Sequence, residues 1–114
     1  MSLQTASSTE FAPLAAPFVV AQKLDGDVLT IAMVGELDIA TVHLLEEAQR
    51  SVEGRYRALR YELVGLEFMD SAGLRVLLAP AGGHVPISQI SITHPAPIVR
   101  RLLEIRGVQG MIAG

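Results

Sequence analysis

The sequence contains no cysteine and no tryptophan, and it has few aromatic residues of any kind. Without cysteine the chain cannot form a disulfide or offer a thiolate to a metal ion, which fits a protein of the reducing cytoplasm. Aromatic residues make up 4% of the sequence and hydrophobic residues 50%, so we expect a core of aliphatic side chains. A chain of 114 residues is long enough for one domain built around a single core.

Excess positive charge and long apolar runs are also missing. The formal net charge is −3, which argues against a surface that binds nucleic acid or an acidic membrane. No run approaches the roughly 20 apolar residues that a membrane-spanning helix needs, and no signal peptide with a basic start is visible. We therefore expect a cytoplasmic protein that neither binds nucleic acid nor inserts into a membrane.

The chain divides into a tail and one domain. Residues 1–17 are rich in serine, threonine, alanine and proline without any periodicity, which predicts a mobile tail. The domain then covers residues 18–114. It opens with two strands, Phe18–Leu24 and Val28–Val34, which we expect to form a hairpin around the turn sequence Asp25–Gly26–Asp27.

The rest of the chain alternates helical and strand patterns. Strands separated by helices predict parallel pairing, and the hairpin adds one antiparallel pair. The order β-β-α-β-α-β-α predicts an α/β fold, a mixed four- to five-stranded sheet covered by helices. The first predicted helix runs from the N-cap Thr41 to about Glu53, and a strand over Tyr56–Val64 follows with Leu59, Tyr61 and Leu63 on one face. A short helix after Ser71 ends at Pro80 and leads to a strand over Ile87–Thr93. The last helix follows Pro95–Ala96–Pro97, has the apolar stripe Ile98, Leu102 and Ile105, and ends at Gly107, after which Val108–Gly114 forms a short edge strand.

The stretch Val64–Leu78 is the most informative part of the sequence. Val64, Leu66 and Phe68 alternate with small or polar residues, as in a half-buried strand. Asp70 and Ser71 break this alternation, and the residues that follow form the apolar stripe of a short helix. A strand, a tight turn and a helix start place the Ser71 hydroxyl beside unpaired backbone N–H groups, a setting that favours a phosphoryl group or another anion.

Three motifs in order resemble a known family. They are GELD at Gly35–Asp38, FMDSAGLRVLL at Phe68–Leu78 and ITHPAPIVRRLLEIRGV at Ile92–Val108. Together they resemble a STAS domain of the bacterial anti-sigma factor antagonist type, and the resemblance covers roughly Phe18 to Met111. Its most specific part is the sequence Asp70–Ser71–Ala72–Gly73–Leu74.

The resemblance implies a regulatory binding protein without enzymatic activity or cofactor. Ser71 matches the serine that a partner phosphorylates, an anti-sigma factor with a GHKL-type serine kinase domain. The unphosphorylated form then binds this partner and frees the sigma factor for transcription, and a phosphatase acting on Ser71 restores it. The residues expected to contact the partner are Glu36, Leu37, Asp38, Thr41, Asp70, Ala72, Gly73, Leu74 and Arg75.

The sequence departs from the family pattern in three places. Ala72 replaces the serine or threonine that often follows the phosphorylated serine, which leaves Ser71 as the one hydroxyl of the motif. Pro80 shortens the helix after Ser71, which changes the surface that a partner would grip. The sequence stops at Gly114 where relatives often continue, so we expect exposed apolar surface that favours a homodimer.

Other interpretations of the same residues stay open at this point. Ser71 can serve only as a helix N-cap. Asp70 can hold the turn through its side chain, or it can orient the Ser71 hydroxyl. Gly73 can allow a backbone or a partner to approach closely, or it can be a plain packing glycine. Glu36 and Asp38 suit a partner-binding edge better than a metal, and no histidine spacing indicates a metal site. A hydrolase triad of Asp70, Ser71 and His94 would lack the usual nucleophile-elbow motif. The alternative function is a STAS scaffold that is never phosphorylated and assembles with itself, a transporter or a stressosome.

Overall fold

The computed structural model describes residues 18–113, so the predicted tail over residues 1–17 lies outside the described residues. The predicted order β-β-α-β-α-β-α is confirmed. Short 3-10 turns complete the chain at Ala79–Gly82, Ile87–Gln89 and Gln109–Met111. The strands and helices are β1 (Val19–Asp25), β2 (Val28–Leu37), α1 (Val42–Ser51), β3 (Ala58–Met69), α2 (Ser71–Leu78), β4 (Ile90–Thr93) and α3 (Pro97–Ile105).

The sheet has four strands in the order β1-β2-β3-β4. Strands β1 and β2 pair antiparallel through a tight hairpin in which Gly26 has a φ of +65°. The pairs β2–β3 and β3–β4 are parallel, because a helical connection returns the chain to the same edge each time. None of the helices formed by residues 18–113 is long and apolar enough to cross a bilayer.

The core contains two tyrosines as well as aliphatic side chains, which corrects the expectation of a purely aliphatic interior. Tyr61 is completely buried on β3, beside the leucines at positions 59 and 63 that the sequence pattern also placed on this face. Tyr56 is 4% exposed, and its ring meets His84 edge to face at a centroid distance of 5.0 Å. Among the residues that the structure describes, no polar or charged residue other than tyrosine is buried.

Strand β3 runs on to Met69 as one continuous strand with two irregularities. Its register with β2 shifts once between Ala32 and Val34 and again between Gly35 and Glu36, so β3 gains one residue each time. The predicted simple alternation of apolar residues is therefore wrong here. Val64 is 76% exposed while Leu66 is buried, since the extra residues change which side chains point inward.

The last strand is shorter than predicted, and the predicted fifth strand does not form. Only Ile90–Thr93 pairs with β3, because Pro86 leads into the 3-10 turn Ile87–Gln89. The end of the described chain makes one bridge, between Ile92 and Ile112, in place of an edge strand over Val108–Gly114. Gly107 ends α3 as predicted, with a φ of +74°.

The buried face of α3 differs from the predicted stripe. Val99 and Leu103 are completely buried, whereas Ile98 and Ile105 are 54% and 64% exposed. A helix with apolar residues on more than one side carries two alternative stripes, and its periodicity does not choose between them. The packing of α3 against β3 makes that choice.

Candidate functional site

The GELD and DSAGL segments meet at one edge of the sheet. Leu37 and Met69 lie opposite each other where the parallel strands β2 and β3 end. The Asp70 N–H then donates to the Leu37 carbonyl at 3.2 Å, which extends the pairing past the last strand residue. Parallel strands therefore bring the two motifs together.

Asp70, and not Ser71, is the N-cap of α2. Its Oδ1 accepts a hydrogen bond from the Gly73 N–H at 2.9 Å, and its backbone is extended (φ −104°, ψ −175°). This interaction satisfies one of the free donors of the first helical turn. The interpretation of Ser71 as the cap is thus wrong. Ser71 is the first residue of the helix, and it is exposed to solvent.

Gly73 allows α2 to pack directly on the end of β2. A Cβ at this position would lie 2.6 Å from the Leu37 carbonyl oxygen and 2.9 Å from the Leu37 Cγ. The close approach is therefore made by a backbone of the same chain. Leu37, Gly73 and Leu74 are all buried in this packing, so their contribution to the site is to position the exposed residues around them.

The segment from Glu36 to Thr41 forms a tight turn held by two side chains. The Thr41 hydroxyl donates to the Glu36 carbonyl at 2.8 Å and accepts from the Asp38 N–H at 3.0 Å. Asp38 Oδ1 accepts from the Ala40 N–H at 2.9 Å, as in an Asx turn. Thr41 precedes α1 as predicted, but its side chain makes no hydrogen bond to the helix and fixes the turn instead.

The far end of α2 is anchored from inside the protein. The Tyr61 hydroxyl donates to the Leu77 carbonyl at 2.7 Å, and the Gln49 amide donates to the Val76 carbonyl at 2.9 Å. The last carbonyls of a helix run short of backbone donors, and here Val76 keeps one, the N–H of the C-cap Ala79. Burial raises the pKa of Tyr61, so its hydroxyl keeps its proton and stays a donor. A helix of eight residues is thus fixed at both ends.

Sequence reasoning missed two exposed residues at this site. Arg106, which caps the end of α3, donates from Nη2 to Ser71 Oγ at 3.0 Å. No local pattern could reveal a contact between residues 35 positions apart. Ile39 is 73% exposed at the tip of the turn between Asp38 and Thr41, and an isolated isoleucine among turn residues was a usable signal.

Ser71 also faces an open cavity of about 410 Å³. Arg75 lies four residues further along α2 and lines this cavity together with Arg106. Ala72 is half-buried, and Leu74 forms part of the apolar wall. The exposed part of the site therefore combines one hydroxyl, two guanidinium groups and, across the sheet edge, an acidic turn.

The geometry does not support a hydrolase triad at Ser71. His94 Nδ1 forms a hydrogen bond with Glu62 Oε1 at 2.8 Å, while Asp70 is occupied by the Gly73 N–H. Within residues 18–113 no three acidic or histidine side chains converge as metal ligands, and Glu36 and Asp38 are no exception. Among the hydrogen bonds of the described residues, the side-chain partner of the Ser71 hydroxyl is an arginine, which is a donor and does not act as a general base.

Comparison with protein families identifies the fold. A family model described as "Mlab, STAS domain" matches residues 20–113. The chain belongs to the STAS domain family. The match covers all the strands and helices of the described chain, apart from the first residue of β1. Comparison with the curated proteins finds no significant match for this STAS domain.

Solved structures agree with this assignment. This STAS domain is similar to an anti-sigma factor antagonist from Mycobacterium paratuberculosis, with 25% identity, a TM-score of 0.74 and coverage of 86% of each chain. It is similar to the anti-sigma factor antagonist SpoIIAA in its unphosphorylated form, with 20% identity, a TM-score of 0.67 and coverage of 85% of this chain and 86% of that one. The phosphorylated form of the Bacillus protein SpoIIAA matches with 19% identity and a TM-score of 0.63, over 85% of this chain and 89% of that one.

Proposed function

We propose that this STAS domain is an anti-sigma factor antagonist, which binds an anti-sigma factor with a GHKL-type serine kinase domain and is released by phosphorylation of Ser71. The observation that carries the proposal is the placement of Ser71. Its hydroxyl is exposed at the first position of α2, in the D-S-A-G-L motif, beside the turn over residues 36–41. The similarity to anti-sigma factor antagonists of known structure supports the same role.

The proposed modification is a phosphoryl transfer from ATP. The Ser71 hydroxyl gives its proton to a base of the kinase, and its Oγ forms a bond to the terminal phosphorus as the bond from that phosphorus to ADP breaks. The phosphoserine carries a charge of about −1.5 to −2 at pH 7. Placed in a desolvated contact, this charge repels an acidic partner surface and ends the complex.

Exposed residues around Ser71 are proposed to make the contact with the kinase. Glu36 near the end of β2 and Arg75 on α2 are exposed residues of opposite charge, and Ile39 supplies an apolar side chain that is 73% exposed. An exposed apolar residue within a polar rim suits the centre of a protein interface. A phosphatase acting on Ser71 would reach the same open surface.

The experiment measures kinase binding and phosphorylation for a neutral and a charged variant of Ser71, and for a charged variant of a second exposed serine as the control. The chain is used as bait in its own cell extract, and mass spectrometry identifies partners and phosphorylated residues. We expect a kinase of the GHKL type among the partners and phosphate on Ser71 in the unbound fraction. Ser71→Ala should keep kinase binding and lose labelling, and Ser71→Asp should weaken binding at least about 10-fold.

Ser88 provides the control, because it is an exposed serine in a short 3-10 turn. Ser88→Asp adds the same charge and should leave kinase binding unchanged. Equal affinities of Ser71→Asp and the unmodified chain would contradict the charge mechanism. An unmodified Ser71 under all growth conditions, without any kinase among the partners, would refute the switch itself.

The second candidate function is a scaffold that assembles with itself or with a transporter or stressosome. It is favoured by three exposed valines on neighbouring strands, Val19, Val34 and Val64, of which Val19 and Val34 are directly paired. Recovery of transporter subunits or of the chain alone in the same experiment would support this function. Loss of the assembly in Val64→Asp would then assign it to this patch.

A further inference from the structure

The contact between Arg106 and Ser71 joins two helices that are distant in sequence. Arg106 stands at the end of α3, where its N–H donates to the Leu102 carbonyl at 3.0 Å. Gly107 follows with a φ of +74°, and the chain turns away from the helix axis at this point. The guanidinium is left beside the start of α2, with Nη2 3.0 Å from Ser71 Oγ.

This contact does little for the unmodified protein. Both side chains are exposed, and a hydrogen bond between exposed groups only replaces their hydrogen bonds to water, so its net gain in stability is small. A guanidinium, however, matches the oxygens of a phosphate group with two parallel hydrogen bonds. The position of Arg106 is therefore better suited to a phosphorylated Ser71 than to the free hydroxyl.

The other charged groups near Ser71 are less suited than Arg106 to bind a phosphate on this residue. Arg75 lines the same cavity from α2, and it contributes positive charge four residues along the helix. Asp70 is the acidic neighbour, and its Oδ1 already accepts the Gly73 N–H. Among the hydrogen bonds of the described residues, the one from Arg106 is the only side-chain bond to the Ser71 hydroxyl.

We propose that Arg106 is the residue that holds the phosphate on Ser71, so that phosphorylation fastens the start of α2 to the end of α3. The proposal rests on the proposed function for the origin of the phosphate. Once the ester forms, Ser71 Oγ becomes a weaker acceptor, and the guanidinium moves its hydrogen bonds to the terminal phosphate oxygens. The phosphate is thereby held over the open cavity between the two helices.

The test uses protein in which phosphoserine is incorporated at position 71 during synthesis, so it needs no kinase. Phosphorus NMR follows the titration of the phosphate in the unmodified background and in Arg106→Gln, Arg106→Lys and Arg100→Gln. Arg100 is the matched control, because it is an exposed arginine of α3 without a contact to Ser71 among the described hydrogen bonds. We expect Arg106→Gln to raise the phosphate pKa by about 0.5 unit or more.

Arg106→Lys should give an intermediate shift, because it keeps the charge and loses the fork of donors. Arg100→Gln should leave the phosphate pKa almost unchanged. Equal shifts in Arg106→Gln and Arg100→Gln, or no shift in either, would overturn the proposal, since the phosphate would then sense only the general field. Absence of phosphate from Ser71 in cells would refute the proposed function and leave this titration result valid.

Discussion

The smallest residue of the site determines how closely its two motifs approach. Gly73 lies on the Leu37 carbonyl, and a Cβ at position 73 would be only 2.6 Å from that oxygen, which is shorter than real Cβ contacts. Any side chain here would push α2 away from β2 and shift Asp70 and Ser71 with it. The exact position of the Ser71 hydroxyl thus depends on a neighbour that has no side chain.

Replacement of Gly73 by alanine tests this close packing. We expect Gly73→Ala to lower the free energy of unfolding by about 1 to 3 kcal/mol, as is usual when an extra carbon is forced into a packed site. Urea unfolding measures the change. Gly82→Ala is the control, because a Cβ at Gly82 would meet no atom within 4 Å, and it should change stability by less than about 0.5 kcal/mol. Equal stabilities of the two variants would contradict the packing argument.

At the scale of single elements, α3 shows how tertiary contacts select a helix face. The spacing of Ile98, Leu102 and Ile105 predicts one stripe, and the sheet buries Val99 and Leu103 instead. Leu102 lies between the two stripes and is half-buried. This rotation of α3 also places Arg106 beside Ser71, so the choice of face has a consequence for the site.

Two truncations on α3 distinguish the faces. Leu103→Ala should lower the free energy of unfolding by about 2 to 5 kcal/mol, because it removes buried methyl groups and leaves a cavity. Ile105→Ala, at a position that is 64% exposed, should cost less than about 1 kcal/mol. Denaturant titration of both variants checks the difference. A larger loss in Ile105→Ala would mean that the stripe inferred from the sequence is the buried one.

At the scale of the whole molecule, a hydrogen bond between two side chains links β3 to the loop that leads into α3. His94 Nδ1 lies 2.8 Å from Glu62 Oε1, and this hydrogen bond is the main reason why the pKa of Glu62 is below its usual value. Both side chains are partly exposed, so the pair stabilises the fold only weakly. The lowered pKa nevertheless makes stability depend on pH.

The sign of this dependence follows from which state takes up the proton first. Glu62 has an ordinary pKa of 4.5, so its contribution is fully present above that value. As the pH falls, the unfolded chain is protonated first, and the contribution is lost once the pH passes below the folded pKa.

We expect the unmodified chain to lose stability more steeply than Glu62→Gln below about pH 5, by less than about 1 kcal/mol. Urea unfolding between pH 7 and pH 3 measures this, with Glu67→Gln, an exposed glutamate of the same strand, as the control. Parallel curves for the unmodified chain and Glu62→Gln would count against the pair.

The local sequence determined the order of the elements and the position of Ser71. Periodicity separated strands from helices, the Asp25–Gly26–Asp27 sequence marked the hairpin, and Gly107 marked the end of α3. The break in the apolar alternation at Asp70 and Ser71, followed by a helical stripe, placed Ser71 at a helix start, which the structure confirms. These features are predictable because backbone propensity, turn chemistry and capping act between residues close in sequence.

Tertiary structure decided the features that depend on distant residues. The two irregularities of β3 arise from its register with β2 and turn Val64 outward. The packing of Gly73 on Leu37, the buried face of α3 and the contact of Arg106 with Ser71 each join separate parts of the chain. Their free energies come from packing and hydrogen bonding between elements, and these interactions exist only once the sheet has brought the elements together.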